Sequence, residues 1–163
     1  MNLRIAQFVN IMLLVLVVGV FWGTWFSLSR SISSISAETF LEIGKTMIAN
    51  LALSMAILVP IALLSTLPVL YFLYRQKSMK AFYLTLIGLL FFIIALLVTL
   101  LVNVPIDNQI KQWTVSTLPS DWEVIRDRWQ LYHTIRTFVS LIGLGFVLSG
   151  ALISLSSKKK MED

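Results

Sequence analysis

Four long apolar runs constrain this chain more than any other feature of its sequence. They extend over residues 5–28, 47–74, 82–102 and 135–155, to within a few residues. A helix rises about 1.5 Å per residue, so roughly 20 residues cross a hydrocarbon core about 30 Å thick. Only helices and closed barrels satisfy every backbone polar group in lipid. The runs predict an all-α membrane protein, a four-transmembrane-helix bundle formed by residues 1–163 as one domain.

The composition supports this prediction. Hydrophobic residues make up 58% of the chain and charged residues 13%, whereas roughly a quarter of a soluble domain is charged. The chain contains no cysteine, which excludes disulfides, thiolate metal ligands and thiol nucleophiles. The net charge of +5 comes from bases that flank the apolar runs. We therefore expect the lipid bilayer, and no nucleic acid, as the partner of these bases.

The distribution of lysine and arginine predicts the orientation. Seven bases lie on the side of the termini and six on the other side. The six are Arg30, Lys45, Lys111, Arg126, Arg128 and Arg136. The short loop 75–80 and the tail Lys158-Lys159-Lys160 adjoin spans directly, and bases in such positions are usually cytoplasmic. We expect a multi-pass protein of the cell membrane with its N- and C-termini in the cytoplasm.

Prolines predict where the helices bend or begin. Pro60 and Pro68 indicate a kink or tilt in the second span, and Pro105 is expected to stop or redirect the third. Pro119 precedes Ser120-Asp121-Trp122-Glu123, which has the pattern of a capping box. No helix breaker follows before Ser156. The fourth span is therefore predicted to be one long helix with an extracytoplasmic extension.

The first loop on that outer side contains a further short helix. Ser36 is a plausible N-cap, and Phe40, Ile43 and Met47 then fall on one face. This pattern predicts an amphipathic segment that leads into the second span.

A polar stripe on the long fourth helix is the strongest sign of a site. Its members fall within a narrow arc: Trp122, Ile125, Trp129, His133 and Arg136. The stripe must face the other helices, because a charged Arg136 is costly against lipid. Its expected partners are Asp107, Asn103 and Asn108 at the end of the third span, with Asn50 on the second. We predict a polar pocket at this depth.

Each member also has a structural interpretation. Arg136 could extend its charge to the headgroups, the tryptophans could form an interfacial belt, and His133 could be a hydrogen-bonded packing residue. As chemistry, proton transfer fits best: His133 as general base, Asp107 orienting or balancing it, and Arg136 stabilising an anion. Trp129 and the three asparagines would bind an apolar aromatic substrate. No metal ligand set, nucleotide loop or cofactor is predicted.

Several sequence motifs cluster around the predicted site: Asn103-Val104-Pro105-Ile106, Trp113, Asp121-Trp122, Arg126-Asp127-Arg128-Trp129 and Tyr132-His133-Thr134-Ile135-Arg136-Thr137. Others occur earlier in the chain: Phe21-Trp22-Gly23-Thr24-Trp25, Leu28-Ser29-Arg30-Ser31 and Phe40-Leu41-Glu42-Ile43-Gly44-Lys45. Together these motifs resemble the anthrone oxygenase-like membrane family. The resemblance implies four spans and oxidation of anthrones to anthraquinones by molecular oxygen without a cofactor.

Other functions remain open at the level of the sequence. The alternative hypothesis is a non-catalytic membrane module that binds a lipid or a quinone or acts as a partner subunit. Glycine pairs Gly19/Gly23 and Gly143/Gly150 suggest faces for a homo-oligomer. A transporter is disfavoured by the small size and by the few charges within the spans.

Overall fold

The described residues form six α-helices, connected by turns and by short π-helical and 3-10 segments. The computed structural model describes residues 2–29 and 31–162, and the side chains of residues 2–28 and 31–156. The helices are α1 (Leu3–Thr24), α2 (Ala37–Leu64), α3 (Thr66–Arg75), α4 (Met79–Val98), α5 (Val104–Gln112) and α6 (Trp122–Glu162). No strand occurs within the described residues.

Four helical stretches are long and apolar enough to cross a membrane. They are Leu3–Ser34, Ala37–Arg75, Met79–Gln112 and Trp122–Ser156. The predicted all-α, four-span architecture is therefore confirmed, and the chain is a multi-pass membrane protein. Arg30 and the side chains of Lys158-Lys159-Lys160, which contribute to the predicted orientation, lie outside the described residues.

The second span bends where its prolines predict. α2 ends at Leu64 and α3 begins at Thr66, so the helix is interrupted at Ser65 between Pro60 and Pro68. The side-chain amide of buried Asn10 on α1 donates to the Ala62 carbonyl at 3.3 Å, and to the hydroxyls of Ser65 and Thr66, both at 2.9 Å. Asn10 thus satisfies polar groups that the break leaves without their regular helical partners.

The third span does not stop at Pro105. α4 passes into a π-helical turn, Thr99–Asn103, and then into α5, with Pro105 in its first turn. The Val104 N–H bonds to the carbonyl of Thr99, five residues back. This wider turn admits a residue that lacks an N–H, because the hydrogen-bonding register shifts just before it. The helix therefore continues past Pro105 to Gln112.

The long fourth helix is confirmed. α6 has 41 residues, about 60 Å at roughly 1.5 Å per residue. The carbonyl of Asp121 accepts the N–H groups of Val124 and Ile125. The predicted capping bond from the Ser120 hydroxyl does not form, so the backbone of Asp121 begins the helix. Ser36, by contrast, does cap α2, because its hydroxyl accepts the N–H of Thr39 at 3.3 Å.

The closest packing joins α4 to α6, which form the most extensive helix pair. A Cβ atom at Gly88 would lie 2.8 Å from the Gly143 carbonyl oxygen, and one at Gly150 would lie 3.0 Å from the Ala81 carbonyl oxygen. Gly143 and Gly150 are therefore used within the chain. Gly19 and Gly23 have no atom of another residue within 4 Å of such a Cβ.

The molecule has two distinct ends. The terminal end holds the start of α1, the turn between α3 and α4, and the last turns of α6. The site end holds the start of α2, all of α5, and the first turns of α6. The predicted site residues on α5 and α6 lie toward the site end.

Candidate functional site

Asp107, Trp129 and His133 form the centre of the candidate site. The indole Nε1–H of Trp129 on α6 donates to Oδ1 of Asp107 on α5 at 2.8 Å. The Trp129 ring stacks on the His133 ring, with centroids 5.1 Å apart and an interplanar angle of 10°. Their spacing of four residues places the rings one above the other on α6. Trp129 thus connects the carboxylate to the imidazole.

Arg136 fixes the tautomer of His133. Its guanidinium donates to Nδ1 of His133 from Nε at 3.1 Å and from Nη2 at 2.9 Å. An arginine only donates, so Nδ1 must carry a lone pair. In the neutral imidazole the proton then lies on Nε2, which is buried and has no hydrogen-bond partner within the described residues. The backbone of Phe21 on α1 also interacts with the ring.

Two further contacts and one longer-range attraction hold the Arg136 charge inside the protein. Nη1 donates to the Thr99 hydroxyl at 3.2 Å, and the guanidinium carbon lies 4.6 Å from the centroid of the Phe21 ring. Asp107 attracts it electrostatically, although the described residues include no direct ion pair between them. A partly buried cation with a nearby carboxylate and an aromatic face is stabilised by both.

Asn103 completes the buried layer. It belongs to the π-helical turn, and its side-chain Nδ2 donates to the Trp129 carbonyl at 3.1 Å. Its Oδ1 is buried and has no partner within the described part of the chain. The cluster therefore contains a free acceptor on Asn103 and a free donor on His133. Buried polar atoms of this kind usually bind an ordered water or a ligand.

Two predicted members lie apart from the cluster. Asn108 is exposed on α5 and accepts a hydrogen bond from the Lys111 ammonium at 3.2 Å. Asn50 is exposed on α2, and its side chain makes no hydrogen bond to the described residues, although its backbone carbonyl accepts one from the Ser54 hydroxyl. The structure thus brings together Asp107, Asn103, Trp129, His133 and Arg136.

An apolar cleft lies beside the carboxylate. Asp107 and Trp129 form one wall, and the start of α2 and the turn before it form the other, through Phe40, Gly44 and Ile32 among others. Its volume is about 30 Å³, enough for one or two waters. His133 and Arg136 do not line it, since they lie behind the Trp129 ring.

Sequence reasoning missed two contributors. Thr99 supports Arg136, and Phe21 supplies the aromatic face under the guanidinium. Thr99 lies four residues before Asn103, so a helical pattern of polar residues inside an apolar span could have identified it. Phe21 carries no such signal, because phenylalanine in a span is ordinary.

The arrangement suits proton transfer and anion stabilisation. Oδ1 of Asp107 is held by Trp129, while Oδ2 receives no hydrogen bond from the described residues. A carboxylate with one oxygen fixed and the other free can accept a proton from a ligand in the cleft. No group of three or more His, Cys, Asp or Glu side chains that could hold a metal occurs in the described part of the chain.

These features define a multi-pass helical membrane protein with a buried polar cluster beside an apolar cleft. The chain belongs to the anthrone oxygenase family, whose family model matches residues 49–146, more than half of its length. The matched region contains every member of the cluster and omits α1 and the start of α2. No curated protein and no solved structure matches the chain.

Proposed function

We propose that this protein is a cofactor-independent oxygenase that oxidises a membrane-soluble aromatic at the cleft beside Asp107. The proposal rests on the Asp107 carboxylate, which lies beside an apolar cleft and has one oxygen held by Trp129. An anthrone has an acidic methylene next to an extended aromatic system. Membership of the anthrone oxygenase family supports this substrate class.

Asp107 is the better candidate for the general base. The only lone pair on the His133 ring lies at Nδ1, where Arg136 donates twice. A proton acceptor needs that lone pair free and within reach of the substrate. His133 also lies behind Trp129 and outside the cleft. The role first predicted for His133 therefore passes to Asp107, with His133 and Arg136 as positioning residues.

The proposed reaction balances without a cofactor. Asp107 accepts a proton from the methylene, and the C–H electron pair enters the ring system as an enolate. The enolate transfers one electron to O₂, and the resulting radical and superoxide combine to form a C–O bond. Asp107 returns its proton to the peroxide anion, and loss of water then breaks the O–O bond and the second C–H bond and leaves a carbonyl. In sum, CH₂ and O₂ become C=O and H₂O.

Arg136 and His133, which lie behind the Trp129 ring, would stabilise this negative charge. Arg136 supplies a fixed cation, and Nε2–H of His133 supplies a donor without a protein acceptor. Groups that are already oriented need no reorganisation when charge develops, which is the main advantage of a protein site over water.

The narrow cleft sets a requirement for binding. A volume of about 30 Å³ is too small for a tricyclic aromatic, so the start of α2 must move away from α5. The contacts across the cleft are apolar, through Phe40 and Ile110 among others, so an apolar ligand can replace them.

The test measures oxygen and quinone together. The purified chain in mild detergent is given an anthrone under air, with an oxygen electrode and quinone absorbance as readouts. We expect one O₂ consumed per quinone formed, at a rate above autoxidation in detergent alone. Asp107→Asn keeps an acceptor for the Trp129 N–H but removes the base, so its kcat is expected to fall about 10²–10⁴-fold.

Asn108→Ala is the matched control, because Asn108 is the next residue on α5 and is exposed. It is expected to retain the wild-type rate. A deuterated methylene should slow turnover if proton removal limits the rate. Full activity in Asp107→Asn would remove Asp107 as the base, and a wild-type rate no higher than autoxidation would remove the oxygenase itself.

The second candidate is a non-catalytic module that binds a lipid or quinone or serves as a partner subunit. The open face of Gly19 and Gly23 favours the subunit version, because close approach of another helix meets no neighbouring atom there. In the same assay, such a protein would leave oxygen consumption at the autoxidation rate. Gly19→Leu would then lower the mass of the detergent-solubilised complex.

We also propose that both termini face the cytoplasm of a cell-membrane protein. Arg4, Arg75, Lys77 and Lys80 lie at the terminal end, adjacent to spans, where bases favour the cytoplasmic side. A reporter active only outside the cytoplasm, fused after the last residue, is expected to stay inactive.

A further inference from the structure

The two ends of the molecule differ in how their charges are balanced. Every carboxylate whose side chain the structure describes lies toward the site end: Glu38, Glu42, Asp107, Asp121, Glu123 and Asp127. At the terminal end, Arg4, Arg75, Lys77 and Lys80 have no carboxylate partner within the described residues. The acids nearest in sequence, Glu162 and Asp163, have side chains outside that description.

A polar cavity of about 180 Å³ opens at this basic end. Its lining includes Arg4, Gln7, Gln76 and Ser154, with Leu3 and Leu155 as its apolar part. It draws these groups from the start of α1, the end of α3 and the last third of α6. A cavity of this size holds several waters or one small anionic group.

Hydrogen bonds between α1 and α6 hold the wall of the cavity in place. Gln7 is only 5% exposed, and its Nε2 donates to the Ser154 hydroxyl at 2.9 Å. That hydroxyl in turn donates to the Ala151 carbonyl at 2.9 Å. These bonds join α1 to α6, and Arg4, an exposed residue of the lining, lies about one turn before Gln7 on α1.

The start of α1 adds a favourable field. Asn2 lines the cavity and caps the helix, since its Oδ1 accepts the Ile5 N–H at 3.0 Å. The remaining first-turn N–H groups carry the partial positive charge of a helix N-terminus, which favours an anion. Arginine and helix N–H groups together match the donors that a phosphate group requires.

We infer that this cavity binds the phosphodiester headgroup of an anionic phospholipid. Arg4 and the N-terminus of α1 contact the phosphate, Gln76 contacts the polar headgroup, and Leu3 and Leu155 contact the apolar part of the lipid. The inference does not depend on the oxygenase proposal, because the cavity and the Asp107 cleft lie at opposite ends of the molecule.

The experiment titrates lipid into the full chain in an uncharged detergent. Phosphatidylglycerol and phosphatidylcholine with identical acyl chains are compared by native mass spectrometry and by thermal unfolding. We expect phosphatidylglycerol alone to remain bound and to raise Tm. One basic residue at a membrane surface accounts for about a fivefold change in affinity, so Arg4→Gln is expected to bind phosphatidylglycerol about fivefold more weakly.

Arg75→Gln is the matched control, because it removes the same charge at the same end but from outside the cavity. It is expected to bind within twofold of the wild type, and Ser154→Ala is expected to weaken binding because the wall loosens. Equal losses in Arg4→Gln and Arg75→Gln would show unspecific charge attraction and overturn the inference. Equal stabilisation by phosphatidylcholine would also overturn the inference. Equal stabilisation by inorganic phosphate or glycerol 3-phosphate would overturn it as well, because it would indicate that the cavity binds a soluble anion.

Discussion

One stripe of α6 carries two different chemistries. Toward the terminal end it presents small residues, and Gly143 and Gly150 lie against α4 so closely that a methyl group would meet backbone atoms. Toward the site end it presents Trp129, His133 and Arg136, which meet their partners through hydrogen bonds and ring stacking. The same helix face thus changes from close packing to a polar network along its length.

The closely packed half of α6, around Gly143 and Gly150, positions the polar half, which contains Trp129, His133 and Arg136. Thr99 and Asn103 follow directly from α4, and both bond to α6, through Arg136 and the Trp129 carbonyl. Without interhelical hydrophobic driving force in lipid, small residues allow the close approach that holds helices together. The distance between α4 and α6 therefore sets whether these hydrogen bonds can form.

The largest effect is expected in the polar half. Arg136→Gln removes the bonds to His133 and Thr99 and one of the two cations that attract Asp107, the other being Lys111. Hydrogen bonds to charged groups contribute about 1.5–3 kcal/mol. Because Nδ1 of His133 also loses its charged donor, we expect a loss of about 3 kcal/mol in the free energy of unfolding, measured by denaturant titration in detergent.

A double-mutant cycle with Asp107→Asn sharpens this prediction. If the two charges stabilise each other across the Trp129 layer, the double variant will lose less stability than the two single variants together. Additive losses would show that Arg136 acts through Thr99 and Phe21 alone, and that the carboxylate is independent of it.

The sequence predicts the fold better than the site, for identifiable reasons. Spans follow from hydropathy, because the bilayer imposes one requirement on every residue of a run. Hydropathy does not predict that the helix continues past Pro105, since a π-helical turn depends on a shift of hydrogen bonds that no single residue signals. Ser120 does not cap the helix, because the backbone carbonyl of Asp121 accepts the N–H groups of its first turn instead.

Within the site, helix periodicity explains the successes and the misses. Gly44 and Ile48 share the face of α2 that lines the cleft, and Asn50 lies about 200° around the helix from Ile48, at roughly 3.6 residues per turn. Its exposure follows from this angle. The tautomer of His133 could not be predicted, because it depends on which ring nitrogen Arg136 reaches in three dimensions.

An intermediate effect is expected in the packed half. Gly88→Ala would place its Cβ 2.8 Å from the Gly143 carbonyl oxygen and 2.6 Å from Cγ2 of Val147, so α4 and α6 must separate. Overpacking of this kind costs about 1–3 kcal/mol, measurable as a lower Tm. Gly145→Ala is the control, since nothing lies within 4 Å of its added Cβ.

The same pair of variants tests whether packing positions the site. If α4 carries Thr99 and Asn103 away with it, Gly88→Ala will lower the rate of the proposed oxygenase reaction at temperatures where the protein is still folded. A stable but slower Gly88→Ala variant supports the link between the two halves. An unchanged rate with a reduced Tm would show that the polar network is held by its own bonds.

The smallest effect is expected for a polar residue outside the site. Asn10 is buried and bonds only to the break between α2 and α3, so its amide is structural and carries no charge. Interhelical hydrogen bonds in membranes contribute about 0.6 kcal/mol on average and up to about 1.7. Because Asn10 donates to three acceptors, Asn10→Ala is expected to lose about 1–2 kcal/mol, with the oxygenase rate unchanged. Asn108→Ala, an exposed asparagine, should change neither Tm nor rate. A large loss of activity in Asn10→Ala would mean that the break in the second span also controls the cleft at the far end of α2. The separation of packing residues from site residues along α6 would then not extend to the rest of the bundle.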